Sequence, residues 1–171
     1  MKTIKKIVWL LFLLNVGMAN EILPLTQRYF HQQDMGYDYH RGTYLIVLAD
    51  TSLGSEEILG DYIHFKQTQG YDVKIVYFEN VGGTASDLRT YLQIYYEDID
   101  PMLEYVLLIG DINGPYAITS YTIPSYNEPD FDVTDYPYTY FGNDALTRKF
   151  FIGRWSIRSL DDLKKIKMRS I

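Results

Sequence analysis

The chain of 171 residues contains no cysteine. That absence excludes disulfides, thiolate metal sites and a cysteine nucleophile within these residues. Histidine is scarce, at three, and none follows an apolar run in the way a catalytic base at a strand end would. No Gly-x-Ser-x-Gly elbow is present, so no Ser/His/Asp arrangement is supported. Neither Gly-x-x-x-x-Gly-Lys-Ser/Thr nor Gly-x-Gly-x-x-Gly occurs, and the Gly82-Gly83 pair alone is a turn rather than a phosphate loop. A long apolar run is also missing. Ile7–Leu14, continuing to Val16, is about half of the roughly 20 residues that a membrane span needs. With Lys2, Lys5 and Lys6 before it and Gly17-Met18-Ala19 after it, this run reads as a secretory signal peptide, residues 1–19, cleaved after Ala19. Export to the cell surface or the medium is the expected destination, with no stable membrane span after cleavage.

Positive charge is in short supply as well. The formal charge is −6, and loss of the three leader lysines takes it to −9. An acidic, aromatic-rich body argues against nucleic acid as a partner. The basic cluster Lys164, Lys165, Lys167 and Arg169 suits the last turns of a helix.

What is present is an alternation of buried strands and amphipathic helices. Residues 20–42 form a polar, aromatic lead-in holding His31 and His40. Tyr44–Ala49 is then an unbroken apolar run, as expected of a strand covered on both faces. Ser55 followed by Glu56 and Glu57 marks a helix start, and Gly70 a stop. His64 in this helix is a packing or surface residue. Tyr71–Phe78 is a second strand, with enough polar positions to be less covered. Thr84 with Asp87 resembles a capping box. Leu88, Tyr91, Leu92 and Tyr95 follow at helical spacing, a stripe that reads as core. Asp98–Pro101 ends this helix.

The third strand, Glu104–Ile109, is the most apolar and is expected to be central. Gly110 breaks it and Asp111 puts a carboxylate past its C-terminal end, the edge where open α/β sheets bind ligands. Residues 113–140 alternate proline, aspartate and tyrosine without period, and read as a long ordered loop over that edge. Phe150–Trp155 is a short fourth strand, and Ser159-Leu160-Asp161-Asp162 opens a last helix. Strand, helix, strand, helix, strand predicts an α/β fold with a mostly parallel, doubly wound sheet and flanking helices.

The carboxylates Asp111, Asp130, Asp132, Asp135 and Asp144 are all placed near one edge. They fit a calcium site of oxygen ligands, a solvated acidic loop, or paired carboxylates acting on glycans. Spacing does not choose between them.

Tyr-Val-Leu-Leu-Ile-Gly-Asp (105–111), Asp-Tyr-Pro-Tyr (135–138), Gly-Asn-Asp (142–144) and Phe-Ile-Gly-Arg-Trp-Ser (151–156), with a following Leu-Asp-Asp-Leu helix, stand in an order that resembles the gingipain-type cysteine peptidases. The first strand and the Gln-Gly-Tyr-Asp-Val turn (69–73) fit too. The resemblance implies a caspase-like first subdomain over residues 43–171. It implies a parent that is an exported cysteine endopeptidase acting on protein or peptide substrates. The His/Cys pair of such enzymes lies in a second subdomain beyond the Ile-Gly-Arg strand and its helix, so this chain is expected to be the non-catalytic N-terminal part. The alternative is a non-enzymatic, degenerate peptidase module for secretion or surface attachment. The resemblance also implies calcium ligands at Asp111 and Asp144, with Phe141 offering its carbonyl. Arg148-Lys149 stand where a further acid is expected, so an Asp111–Arg148 or Asp144–Lys149 ion pair is the competing arrangement.

Overall fold

The computed structural model describes residues 41–126, 131–141 and 147–171. The signal peptide, His31, His40, Asp130, Gly142, Asn143 and Asp144 lie outside them.

Strand β1 (Thr43–Leu48) is buried along its whole length. An apolar run of this kind is stable only with both faces covered, and its side chains divide between two cores by the two-residue period of a strand. Leu45 and Val47 face one core; Tyr44, Ile46 and Leu48 face the other. Helix α1 (Glu56–Thr68) follows, with Glu56 and Glu57 in its first turn and Lys66 in its last, each at the end the helix dipole favours. Ser55 takes the N-cap position with extended dihedrals, but its side chain makes no capping bond. Gly70, at φ +89°, turns the chain out of the helix.

Strand β2 (Asp72–Tyr77) pairs in parallel with β1 and is only partly covered, as its polar positions predict. Helix α2 (Ala85–Asp98) opens on Thr84, whose Oγ1 accepts from the Asp87 amide at 3.1 Å and donates to Asp87 Oδ2 at 2.6 Å. Strand β3 (Leu103–Ile109) returns on the other side of β1. After an insertion, β6 (Phe151–Trp155) adds to the free side of β3, and α3 (Leu160–Ser170) starts on a Ser159 cap that accepts from the Asp162 amide.

The sheet order is β2-β1-β3-β6, with every pairing parallel. Residues of α1 and α3 (Leu59, Tyr62, Leu163) pack on one face, and those of α2 (Leu88, Leu92) on the other. The fold is therefore the doubly wound α/β sheet expected, with β3 in its interior.

The insertion departs from the expected loop. It contains an antiparallel two-stranded ribbon, β4 (Tyr121–Pro124) with β5 (Phe131–Thr134), and a 3-10 turn at Tyr136–Thr139. The ribbon leaves Ile123, Phe131 and Val133 exposed. With neither face buried, nothing imposes the apolar–polar alternation by which a strand is read from sequence. The insertion is anchored from below. Tyr138 is fully buried in the α2-side core, and its hydroxyl donates to the Thr119 carbonyl at 2.5 Å. Arg89 of α2 donates to the carbonyls of Pro137 and Tyr140 at 2.9 and 3.0 Å.

Candidate functional site

In a sheet of this winding, β1 and β3 leave in opposite directions around the sheet, and ligands enter the crevice between their C-terminal ends. Here that crevice is filled. Gly110 continues the β3–β6 pairing by donating to the Trp155 carbonyl at 3.0 Å. A Cβ on Gly110 would come within 2.7 Å of the Tyr116 carbonyl and 2.9 Å of Ala49 Cβ. The segment after β3 thus lies directly over the crevice, held by a bond from the Asp111 amide to Tyr116 and one from the Ile118 amide back to Asp111.

The centre of this edge is Arg154. Strand β6 turns its side chain to the α2 face, where it is 10% exposed. Its Nε and Nη2 donate to Asp135 Oδ2 and Oδ1 at 2.9 and 2.8 Å, a planar fork on one carboxylate. Its Nη1 donates to the carbonyls of Gly110 and Ile118 at 3.1 and 2.9 Å. Ser120 Oγ adds a donor to Asp135 Oδ1 at 2.5 Å. Burial alone would raise the Asp135 carboxyl, but hydrogen bonds from Arg154 and Ser120, with the guanidinium charge, hold it below its usual range. One arginine thereby joins β6, the end of β3, the overlying segment and the insertion. Sequence reasoning placed Arg154 in a strand and Asp135 among several acids, and both in the motifs of the family resemblance, but did not pair them. The available signal was an arginine in a short, half-covered strand on the same face as Ile152, whose largely buried head must find a counter-charge.

Asp111 is close by and has a smaller part. Oδ1 accepts from the Ile112 amide at 2.8 Å and Oδ2 from Arg158 Nε at 3.1 Å. These bonds, the backbone one foremost, lower its pKa. Its partner is Arg158, not the expected Arg148. Arg158 leaves β6 at the end where Asp111 sits, whereas Arg148 enters β6 at the other end, about 16 Å away for five residues of strand. The Arg148 guanidinium lies over the Tyr136 ring at 5.2 Å instead. The Lys149 amide donates to the Thr139 carbonyl at 2.8 Å. Asp50 caps its own turn through the Ser52 amide.

Of the three expected calcium positions, only Asp111 and Phe141 fall among the described residues. Phe141 is buried against Tyr96 and Phe150, where β6 begins, with ring centroids 6.2 and 5.9 Å away. Asp111 lies past the end of β3, and Asp144 is outside the described residues. Among the described residues no three acidic or histidine side chains cluster as a metal site. The Arg158 guanidinium at Asp111 is a cation that competes with any metal ion for that carboxylate. His64 sits exposed on α1, away from this edge.

A model of peptidase family C25 matches residues 38–171. No curated protein matches the chain. Among solved structures, the chain is similar to the complex of the pro- and mature domains of Porphyromonas gingivalis RgpB. The identity is 27% and the TM-score 0.62, over 76% of this chain and 28% of that one. The Arg-specific cysteine proteinase gingipain R (RgpB) gives 25% and 0.62 over 82% and 30%. A further structure, described as a protease, gives 20% and 0.61 over 80% and 29%, a likeness of fold alone. The chain spans under a third of the length of each.

Proposed function

The chain belongs to peptidase family C25, and from that premise we propose that it is the framework-bearing N-terminal part of an exported, gingipain-like cysteine endopeptidase. The observation that carries the reading is the conjunction of a family match over residues 38–171 with a complete lack of cysteine. A peptidase of this type attacks through a thiolate. The nucleophile must then come from residues other than these 171, and so must the pocket that selects a protein or peptide substrate. What these residues supply is rigidity. The Arg154 hub ties four segments at the sheet edge, and the crevice there is closed by the chain's own backbone. Export rests on the leader pattern of residues 1–19; among the described residues no helix is long and apolar enough to cross a membrane.

The absent cysteine also favours a second reading, a non-enzymatic relative serving secretion or surface attachment. The two differ in what the coding sequence continues into. A complete gene product containing a Gly-His-Gly histidine and a later cysteine should cleave casein and be silenced by iodoacetamide, while the 171-residue chain alone is inert. A complete product that lacks both residues and cleaves nothing would overturn the peptidase reading in favour of the second. Export has its own check: N-terminal sequencing of the exported protein should begin at Asn20, and a retained Met1 would refute the cleavage.

A further inference from the structure

Helix α2 carries a second apolar stripe that the core covers only in part. Leu88 and Leu92 are fully buried beneath the helix. Tyr91, Ile94, Tyr95 and Asp98 stand at i, i+3, i+4 and i+7, a second face. Of these, Tyr91 and Tyr95 read from sequence as core. In the structure the residues of this face, with Ile99, line an open hollow of about 300 Å³. Tyr91 and Tyr95 stack at 5.5 Å between ring centroids, and Ile94 is 54% exposed.

The end of α2 beside the hollow is acidic, and the Asp72–Lys74 pair of β2 stands nearby. Glu97 and Asp98 occupy the last turn of α2, which holds no basic residue. Carboxylates are unfavourable there, because the helix dipole already puts partial negative charge on the final carbonyls. Asp100 follows directly. The combination of stacked tyrosine faces, an exposed aliphatic side chain and the Asp98 carboxylate complements one kind of occupant. Its side chain has an apolar stem and a cationic head.

We infer that this hollow docks a basic segment of a protein partner, an arginine or lysine stem lying along Ile94 and the Tyr91–Tyr95 pair with its head on Asp98. The surface is remote from the Arg154 hub and independent of the peptidase reading. A single anchoring side chain on a hollow of this size gives weak binding, about millimolar to tens of micromolar.

The test is an NMR titration of the full chain with a short amidated peptide of two arginines and two leucines. The control peptide has glutamates in place of the arginines. The basic peptide should shift the Ile94 methyl and the Tyr91 and Tyr95 ring signals saturably, and the control should not. Asp98→Asn should weaken binding about tenfold, as loss of a charge-assisted contact does. Ile94→Gln, a change at an exposed site, should weaken it several-fold. Equal shifts with the acidic peptide would overturn the inference, as would unchanged affinity in Asp98→Asn or no saturable shift at millimolar peptide. The same signals moving with protein concentration alone would assign the face to self-association instead.

Discussion

Replacing Arg154 with methionine tests the hub directly. Methionine keeps most of the apolar stem and removes the guanidinium. The side chains of the pair are 10% and 20% exposed, so the change strands a largely buried carboxylate and strips the Gly110 and Ile118 carbonyls of a donor. Breaking a buried pair from one side costs about 3–5 kcal/mol. For a unit of this size that is a fall in melting temperature of about 10–20 °C. Asp135→Leu in the same chain should recover part of the loss, since no unpaired charge remains, but the two carbonyls stay unserved.

The acid side gives a second readout. The folded Asp135 pKa is depressed, so its contribution is present above the unfolded value, about 3.9, and is lost as pH falls through the folded value. In Arg154→Met the carboxyl loses its cation and can shed its charge by protonating. The stability gap between wild type and variant should therefore narrow below about pH 4. Urea and thermal unfolding followed by circular dichroism at several pH values measure both. A variant melting within about 2 °C of wild type, or a gap that does not change with pH, would refute the reasoning.

Four further outcomes are expected. Leu92→Ala removes a fully buried side chain between α2 and the sheet and should cost about 2–5 kcal/mol in urea unfolding; a loss below 1 would mean that the core collapses freely around the gap. Gly110→Ala should cost about 1–3 kcal/mol through overpacking, because its Cβ meets the Tyr116 carbonyl and Ala49 Cβ, and a neutral result would show that the segment over the crevice can lift. Asp111→Asn should cost no more than about 1 kcal/mol, its ionic partner being an exposed arginine. Millimolar calcium should leave the melting temperature of both forms unchanged; a rise seen in wild type and lost in Asp111→Asn would place an ion at that carboxylate after all.

The framework was legible because each of its parts is locally encoded. Val47 and Leu108 sit in apolar runs that only a doubly covered sheet can bury. Thr84 with Asp87, and Ser159 with Asp162, mark helix starts through bonds made within a single turn. Ser55 shows the limit of the rule, since it occupies the cap position without making the bond. The ribbon was not legible, because Thr122 and Val133 face solvent and carry no period. The Arg154–Asp135 fork was hidden for another reason. Its partners are set by how β6 and the insertion meet in space, and spacing along the chain offered Asp111, Asp130, Asp132, Asp135 and Asp144 as equal candidates. The Tyr91–Tyr95 face was misjudged in degree: helical spacing shows which residues share a side, not how much of that side a neighbour covers.

The hub also carries a timing. Arg154 is made 19 residues after Asp135, 36 after Ile118 and 44 after Gly110. Strands β1, β2 and β3, with α1 and α2, are complete before it exists, and they are joined by the shorter connections. Bringing β6 onto β3 closes the longest connection between consecutive strands of the sheet, Ile109 to Phe151, and the entropy of that closure is spent before the fork returns anything. The fork is therefore expected to form after the main folding barrier, with a φ-value near zero at residue 154. Losing it should leave the folding rate nearly as it was and hasten unfolding by almost the whole change in stability. On this view Arg154 governs how long the folded chain lasts rather than how fast it is reached.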